Sequence, residues 1–135
     1  MSRERYPVLW IGQVAVVTLP VEIDVTNADA IGEELLAVLN QGASLLVADM
    51  STTIFCDSSG VSALVRVFRR AASSGQAMRL AVSTPAVQRV LSISGVDRLV
   101  NVYPSVAASL GDPNGRADQA RQDGATAKAD TDGGA

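Results

Sequence analysis

Across residues 8–110 the chain alternates short, β-rich apolar runs with segments whose apolar residues recur at helical spacing, and glycine or proline punctuates most of the changes. No other feature constrains the fold as much, because strands separated by helices pair in parallel through right-handed crossovers. Val8-Leu9-Trp10-Ile11 and residues 14–19 are two such runs, joined by Gly12-Gln13, the Gly-X pair that a two-residue hairpin turn favours. Thr26-Asn27 then offers an N-cap, Ile31, Leu35, Val38 and Leu39 share one helical face, and Gly42 stops the helix. Leu45-Leu46-Val47-Ala48 is a continuous apolar run that suits an interior strand.

After a loop over residues 51–56, Val61, Leu64, Val65 and Phe68 mark the inner face of a second helix, with Arg66, Arg69 and Arg70 largely outside and Gly75 at its end. Residues 78–82 alternate as a strand with one favoured face. Thr84-Pro85 opens a third helix as N-cap and N1, Val87, Val90 and Leu91 face inward, and Gly95 closes it. Residues 99–103 supply a last strand, and Pro104-Ser105 starts a short helix containing Val106 and Leu110. The predicted order is β-β-α-β-α-β-α-β-α, an α/β fold on a mixed sheet whose first two strands form an antiparallel hairpin.

A length of 135 residues holds one domain of this kind. Residues 111–135 contain no Leu, Ile, Val or Phe, so they bury too little apolar surface to offset their ordering entropy and are expected to be a disordered polar tail after a domain spanning 1–110. Arg3 and Arg5 precede a mostly apolar stretch as in a secretory signal, but Gly12-Gln13 and Pro20 interrupt it and Glu22 and Asp24 follow where a cleavage site belongs. With no apolar run long enough to span a bilayer, a cytoplasmic protein without a membrane partner is expected.

Composition removes much chemistry. There is no histidine and one cysteine, Cys56, so an intramolecular disulfide, a Cys/His zinc site and a histidine-based triad are all excluded. The single lysine, Lys128, lies in the tail, which leaves a P-loop, a Schiff base or a Ser-Lys dyad without its lysine inside the fold. The carboxylates of the body show no spacing that singles out an acid/base pair. Catalysis by carboxylates alone stays open on this ground. A sequence pI near 4.8 argues against direct nucleic-acid binding.

The stretch richest in chemistry is Thr53-Ile54-Phe55-Cys56-Asp57-Ser58-Ser59-Gly60, which runs from a loop into the first turn of the second helix. Two hydroxyls there meet unpaired backbone N–H groups and the positive end of the helix dipole, which together favour an anion such as a phosphate. By itself, Asp-Ser-Ser ahead of an apolar helix reads as a cap. The body, over about residues 8 to 110, nevertheless resembles the STAS domain family, specifically the bacterial anti-sigma-factor antagonists. The resemblance rests on Leu19-Pro20-Val21-Glu22-Ile23-Asp24, Asn27-Ala28, Leu46-Val47-Ala48-Asp49-Met50 and, above all, Phe55-Cys56-Asp57-Ser58-Ser59-Gly60-Val61. Residues 75–80 and 90–97 add to it.

That resemblance implies a protein switch that is not itself an enzyme and holds no metal or cofactor. In the family, the unphosphorylated antagonist binds an anti-sigma factor that is also a serine kinase, and so releases a sigma factor. The kinase uses ATP to phosphorylate the first serine of the Asp-Ser-Ser/Thr-Gly motif, which falls on Ser58, with Ser59 as the second candidate, and a PP2C-type phosphatase reverses the modification. The implied partner-binding residues are Asp24, Asp57, Ser58, Ser59 and Gly60. Cys56 stands where relatives often carry methionine and reads as a small core-filling residue rather than an oxidant sensor. Arg66, Arg69 and Arg70 are either a solvated face or a contact for an acidic partner. The alternative function is a STAS scaffold or small-ligand or nucleotide-binding module that keeps the motif without a kinase partner.

Overall fold

Gly12 holds φ at +63° while among the described residues none other than glycine has a positive φ, so the turn between β1 (Val8–Ile11) and β2 (Val14–Thr18) is of the II′ type, whose twist matches that of the flanking strands. The structure, a computed structural model, describes residues 6–113. After the hairpin come β3 (Glu22–Ile23), α1 (Ala28–Asn40), β4 (Leu45–Met50), β5 (Phe55–Cys56), α2 (Ser58–Ser73), β6 (Ala77–Val82) and α3 (Pro85–Ser94). A 3-10 turn (Val96–Arg98), β7 (Asn101–Tyr103) and α4 (Val106–Leu110) complete the chain. The main sheet has the order β1-β2-β4-β6-β7, antiparallel in its first pair and parallel thereafter, as the alternation predicts.

Each crossover from β2 to β4, β6 and β7 moves one strand further in the same direction, so right-handed connections deliver α1, α2 and α3 to one face. There Ile31, Leu35, Val38, Leu64, Val67, Ala71, Val87 and Leu91 pack on Ala15, Val17, Leu46, Ala48, Met50, Met78, Leu80 and Val82. Each fully buried leucine or isoleucine in this layer contributes about 1.5–3 kcal/mol. The opposite face is covered differently. Val16, Val47 and Ala81 pack there with Val14, Leu45 and Val106, and among the described elements the five-residue α4 alone lies over them.

Four local expectations are corrected. The inner face of α2 is formed by Gly60, Ala63, Leu64, Val67 and Ala71, whereas Val61, Val65 and Phe68 are only partly buried. Small residues win the inner positions because they let α2 approach its neighbours closely; a methyl group on Gly60 would lie 2.7 Å from Ile23 Cγ2. Strand β6 has no single favoured face, since Met78, Leu80, Ala81, Val82 and even Arg79 are buried between the helices and α4. The region before α1 and the loop over residues 51–56 contain two further strands, β3 and β5, which pair in parallel as a second small sheet. Asn27 occupies the N-cap of α1 without capping it, because its side chain accepts from Asp24 N at 3.0 Å and donates to the Glu22 carbonyl at 2.8 Å.

Arg79 is 3% exposed, and its position explains how α4 is held. Its guanidinium donates to the carbonyls of Ser109 and, at 3.3 Å, Asp112, and it lies 5.4 Å from the centre of the Tyr103 ring. The Tyr103 hydroxyl in turn donates to Asp112 Oδ2 at 2.7 Å. The polar segment set off at residue 111 therefore begins inside this packing, with Asp112 bonded to the body; its remainder, from residue 114, lies outside the described residues.

Candidate functional site

Strands β3 and β5 place the Asp-Ser-Ser-Gly stretch. Ile23 pairs with Cys56, Ile54 N donates to the Val21 carbonyl at 2.8 Å, and Asp57 N donates to the Ile23 carbonyl at 3.2 Å. Thr53 is buried behind them. Its hydroxyl donates to the Pro20 carbonyl at 2.8 Å, and its own carbonyl accepts from the Thr84 hydroxyl at 2.8 Å, so the loop is tied to both the segment after β2 and the start of α3. The result is a fixed entry angle for α2.

At that entry Asp57 is the N-cap, with extended backbone and a carboxylate oxygen that accepts from Ser59 N at 2.9 Å and Gly60 N at 3.3 Å. Two of the helix's orphan N–H groups are satisfied in this way. Gly60 is buried against the strands, and a methyl group there would lie 2.6 Å from Cys56 Sγ and 2.7 Å from Ile23 Cγ2. The glycine is thus required by close packing. Ser58, the first helical residue, is exposed, whereas Ser59 is half-buried.

Asp24 directly follows Ile23, whose carbonyl receives the Asp57 N–H, so Asp24 and Asp57 leave neighbouring strands side by side. The Asp24 carboxylate accepts from the Thr26 hydroxyl at 2.5 Å and from Thr26 N at 2.9 Å, and these two bonds hold its pKa below the usual 3.8. Cys56 behaves oppositely. Burial, with the negative charge of Asp57 as the smaller cause, pushes its thiol up to about 11, which leaves it a neutral, core-filling sulfur at physiological pH.

The five positions singled out from the sequence thus gather at one end of the molecule, where the parallel strands finish. What the sequence reading missed is the apolar surface around them: Val21, Val25, Ile54 and Phe55 are all exposed, at 49%, 76%, 56% and 49%. Their signal was available, since all four lie outside any helical or alternating pattern that would have buried them. Residues 18–30 and 49–62 carry Glu22, Asp24, Asp29, Asp49 and Asp57 and neither arginine nor lysine. Arg66, Arg69 and Arg70 do lie outside on α2, as expected, and Arg70 bonds Asn40 of α1.

Chemically, this is an exposed hydroxyl presented at a helix start capped by Asp57, on the same end of the molecule as Asp24 and the exposed Val21, Val25, Ile54 and Phe55. Among the described residues no group of three His, Cys, Asp or Glu side chains is placed to hold a metal ion, and no helix is long and apolar enough to cross a membrane. The arrangement suits recognition by another protein.

Comparison with known proteins agrees. The family model of the STAS domain matches residues 7–109. A Thermotoga neapolitana protein provisionally named an anti-sigma factor antagonist is 30% identical over 78 residues, covering 58% of this chain and 69% of its own. The crystal structure of an anti-sigma factor antagonist from Mycobacterium paratuberculosis superposes with a TM-score of 0.72 at 25% identity, covering 78% of this chain and 90% of that one. The anti-sigma factor antagonist SpoIIAA shares the fold in its unphosphorylated form, with a TM-score of 0.67 at 19% identity over 78% of this chain and 93% of that one. Its phosphorylated form, from Bacillus, does so with a TM-score of 0.61 at 18% identity over 78% and 96%. By its motif, its fold and these relatives, the chain belongs to the STAS domain family, among the anti-sigma factor antagonists.

Proposed function

We propose that this protein is a phosphorylation-controlled antagonist: with Ser58 bare it binds an anti-sigma factor kinase and so frees a sigma factor, and phosphate on Ser58 ends that binding. The observation that carries the reading is the exposed Ser58 hydroxyl, set beside the Asp57 cap and within the apolar surface of Val21, Val25, Ile54 and Phe55. A partner seated on those apolar residues covers Ser58. A phosphate there brings about −1.5 to −2 charges and a large hydrated group into a contact that already holds Asp24 and Asp57, so docking is opposed locally. The fold tolerates the modification, because a helix N-terminus is a favourable place for an anion.

In this reading the protein binds rather than catalyses. The kinase supplies the ATP, a PP2C-type phosphatase resets the switch, and DNA is contacted only by the sigma factor. Ser59 is not the acceptor: half-buried, with its N–H on the Asp57 carboxylate, it belongs to the turn.

The test is to incubate wild type, Ser58→Ala and Ser59→Ala with the anti-sigma kinase and ATP and to locate the phosphate by fragmentation mass spectrometry. Wild type and Ser59→Ala should be modified at position 58, and Ser58→Ala should stay unmodified yet bind the kinase. Ser58→Asp should bind at least tenfold more weakly with a native circular dichroism spectrum. Phosphate on Ser59, or equal binding by Ser58→Asp and wild type, refutes the proposal.

A further inference from the structure

The edge of the main sheet at β1 is unlike a protected edge. Soluble proteins blunt such edges with lysine, proline, bulges or covering segments. Here Val8-Leu9-Trp10-Ile11 carries no charge and no proline and pairs with β2 without a bulge, and Leu9, Trp10 and Ile11 are 60%, 39% and 49% exposed. Thr18 N donates to the Pro7 carbonyl at 2.9 Å. Because bonded and non-bonded pairs alternate along an antiparallel ladder, Leu9 and Ile11 bond inward to β2, and the backbone N–H and C=O of Val8 and Trp10 point out of the sheet.

We propose that a second copy of this chain occupies this edge, adding its β1 antiparallel to the first and joining two five-stranded sheets into one. The outward groups are self-complementary. Val8 of one copy exchanges both hydrogen bonds with Trp10 of the other, and the reverse, which sets the twofold axis at Leu9 facing its own counterpart in a close, non-bonded pair. The same register stacks each Val8 side chain on the indole of the other copy, an aromatic and β-branched cross-strand pair.

Other occupants fit less well. Residues 114–135 contain no Leu, Ile, Val or Phe to lay against Leu9 and Ile11, and residues 1–5 have Met1 as their one apolar side chain. The uncharged edge lets two copies approach without like-charge repulsion. Taking about 200 Å² for a large side chain, the exposed fractions of Leu9, Trp10 and Ile11 offer roughly 300 Å² per copy, so the pair buries at most about half of the ~1,200 Å² at the low end of stable interfaces. The dimer is therefore reversible and forms at high protein concentration.

Trp10 is the only tryptophan, so its emission reports on this edge alone. In the full-length protein, sedimentation equilibrium over rising concentration should show the mass climbing toward twice the monomer value, with a parallel blue shift of the Trp10 emission. Leu9→Lys, which sets two ammonium groups face to face, should stay monomeric with a native circular dichroism spectrum. Leu9→Cys should cross-link to itself under mild oxidation at least tenfold faster than Ile11→Cys, whose counterpart in this register is Pro7; Cys56 is buried and leaves the background low. Monomer mass at the highest soluble concentration, or equal cross-linking at positions 9 and 11, overturns the proposal.

Discussion

A methyl group at position 60 would meet both the Cys56 sulfur and the Ile23 side chain closer than real Cβ atoms approach. Gly60→Ala must therefore push α2 away from β3 and β5, an overpacking cost of about 1–3 kcal/mol that should appear as a lower urea midpoint; an unchanged midpoint would contradict the packing. Asp24 makes a second prediction, about pH. Its folded pKa is depressed by the two bonds from Thr26, so its contribution to stability is present above its unfolded value and is lost as pH falls through the folded one. A carboxyl-detected NMR titration should place Asp24 below 3.8, and Thr26→Val, which deletes the hydroxyl bond but keeps the N–H bond, should bring it back toward that value. A midpoint unmoved by Thr26→Val would show that the hydroxyl is not the main cause. The Asp-Ser-Ser-Gly residues were legible at this scale because a cap, a hydroxyl and a glycine are local signals. The neighbourhood of Asp24 and Asp57 was not, since it depends on pairing between residues more than thirty positions apart.

The elements that the sequence concealed are those too short to have a period. Glu22–Ile23 and Phe55–Cys56 are two-residue strands, and alternation cannot be recognised over two residues. α2 was visible as a helix but its orientation was not, because the apolar pattern weights valine and phenylalanine while close packing selects glycine and alanine. α4 shows how a short element gains its place from others: five residues are marginal as a helix, and this one rests on Ser105, whose hydroxyl accepts from Ala108 N at 3.0 Å, and on the Arg79, Tyr103 and Asp112 contacts. A chain stopped after Pro113 should melt like the full-length protein. One stopped after Leu110 loses Asp112 and should be less stable by about 1–3 kcal/mol, a drop of several degrees. Equal melting of the two truncations would show that Asp112 contributes nothing.

For the whole molecule the sequence bears a formal charge of −3; among the described residues three of the five exposed arginines, Arg66, Arg69 and Arg70, lie on α2, and the segments 18–30 and 49–62 around Ser58 carry carboxylates but neither arginine nor lysine. Five exposed arginines spread over α2, α3 and the turn after it neutralise few phosphates at once, and counterion release scales with the number engaged. A fluorescence-anisotropy titration with duplex DNA at physiological salt should show no micromolar binding, and salt-dependent binding in that range would contradict this reading of the surface. The same distribution leaves the Ser58 end free for a protein partner.

The order of the five main-sheet strands and the four helices, the mixed sheet and the hairpin turn followed from the sequence alone, because periodicity, turn chemistry and caps act over a few neighbouring residues, while the motif was picked out by its resemblance to a family. Tertiary structure alone decided three things: that all three long helices share one face, that Arg79 is buried where alternation would expose it, and that β3 and β5 set Asp24 beside Asp57. Each rests on contacts between residues distant in the chain, whose energies come from shared burial and from hydrogen bonds that no local window of sequence contains.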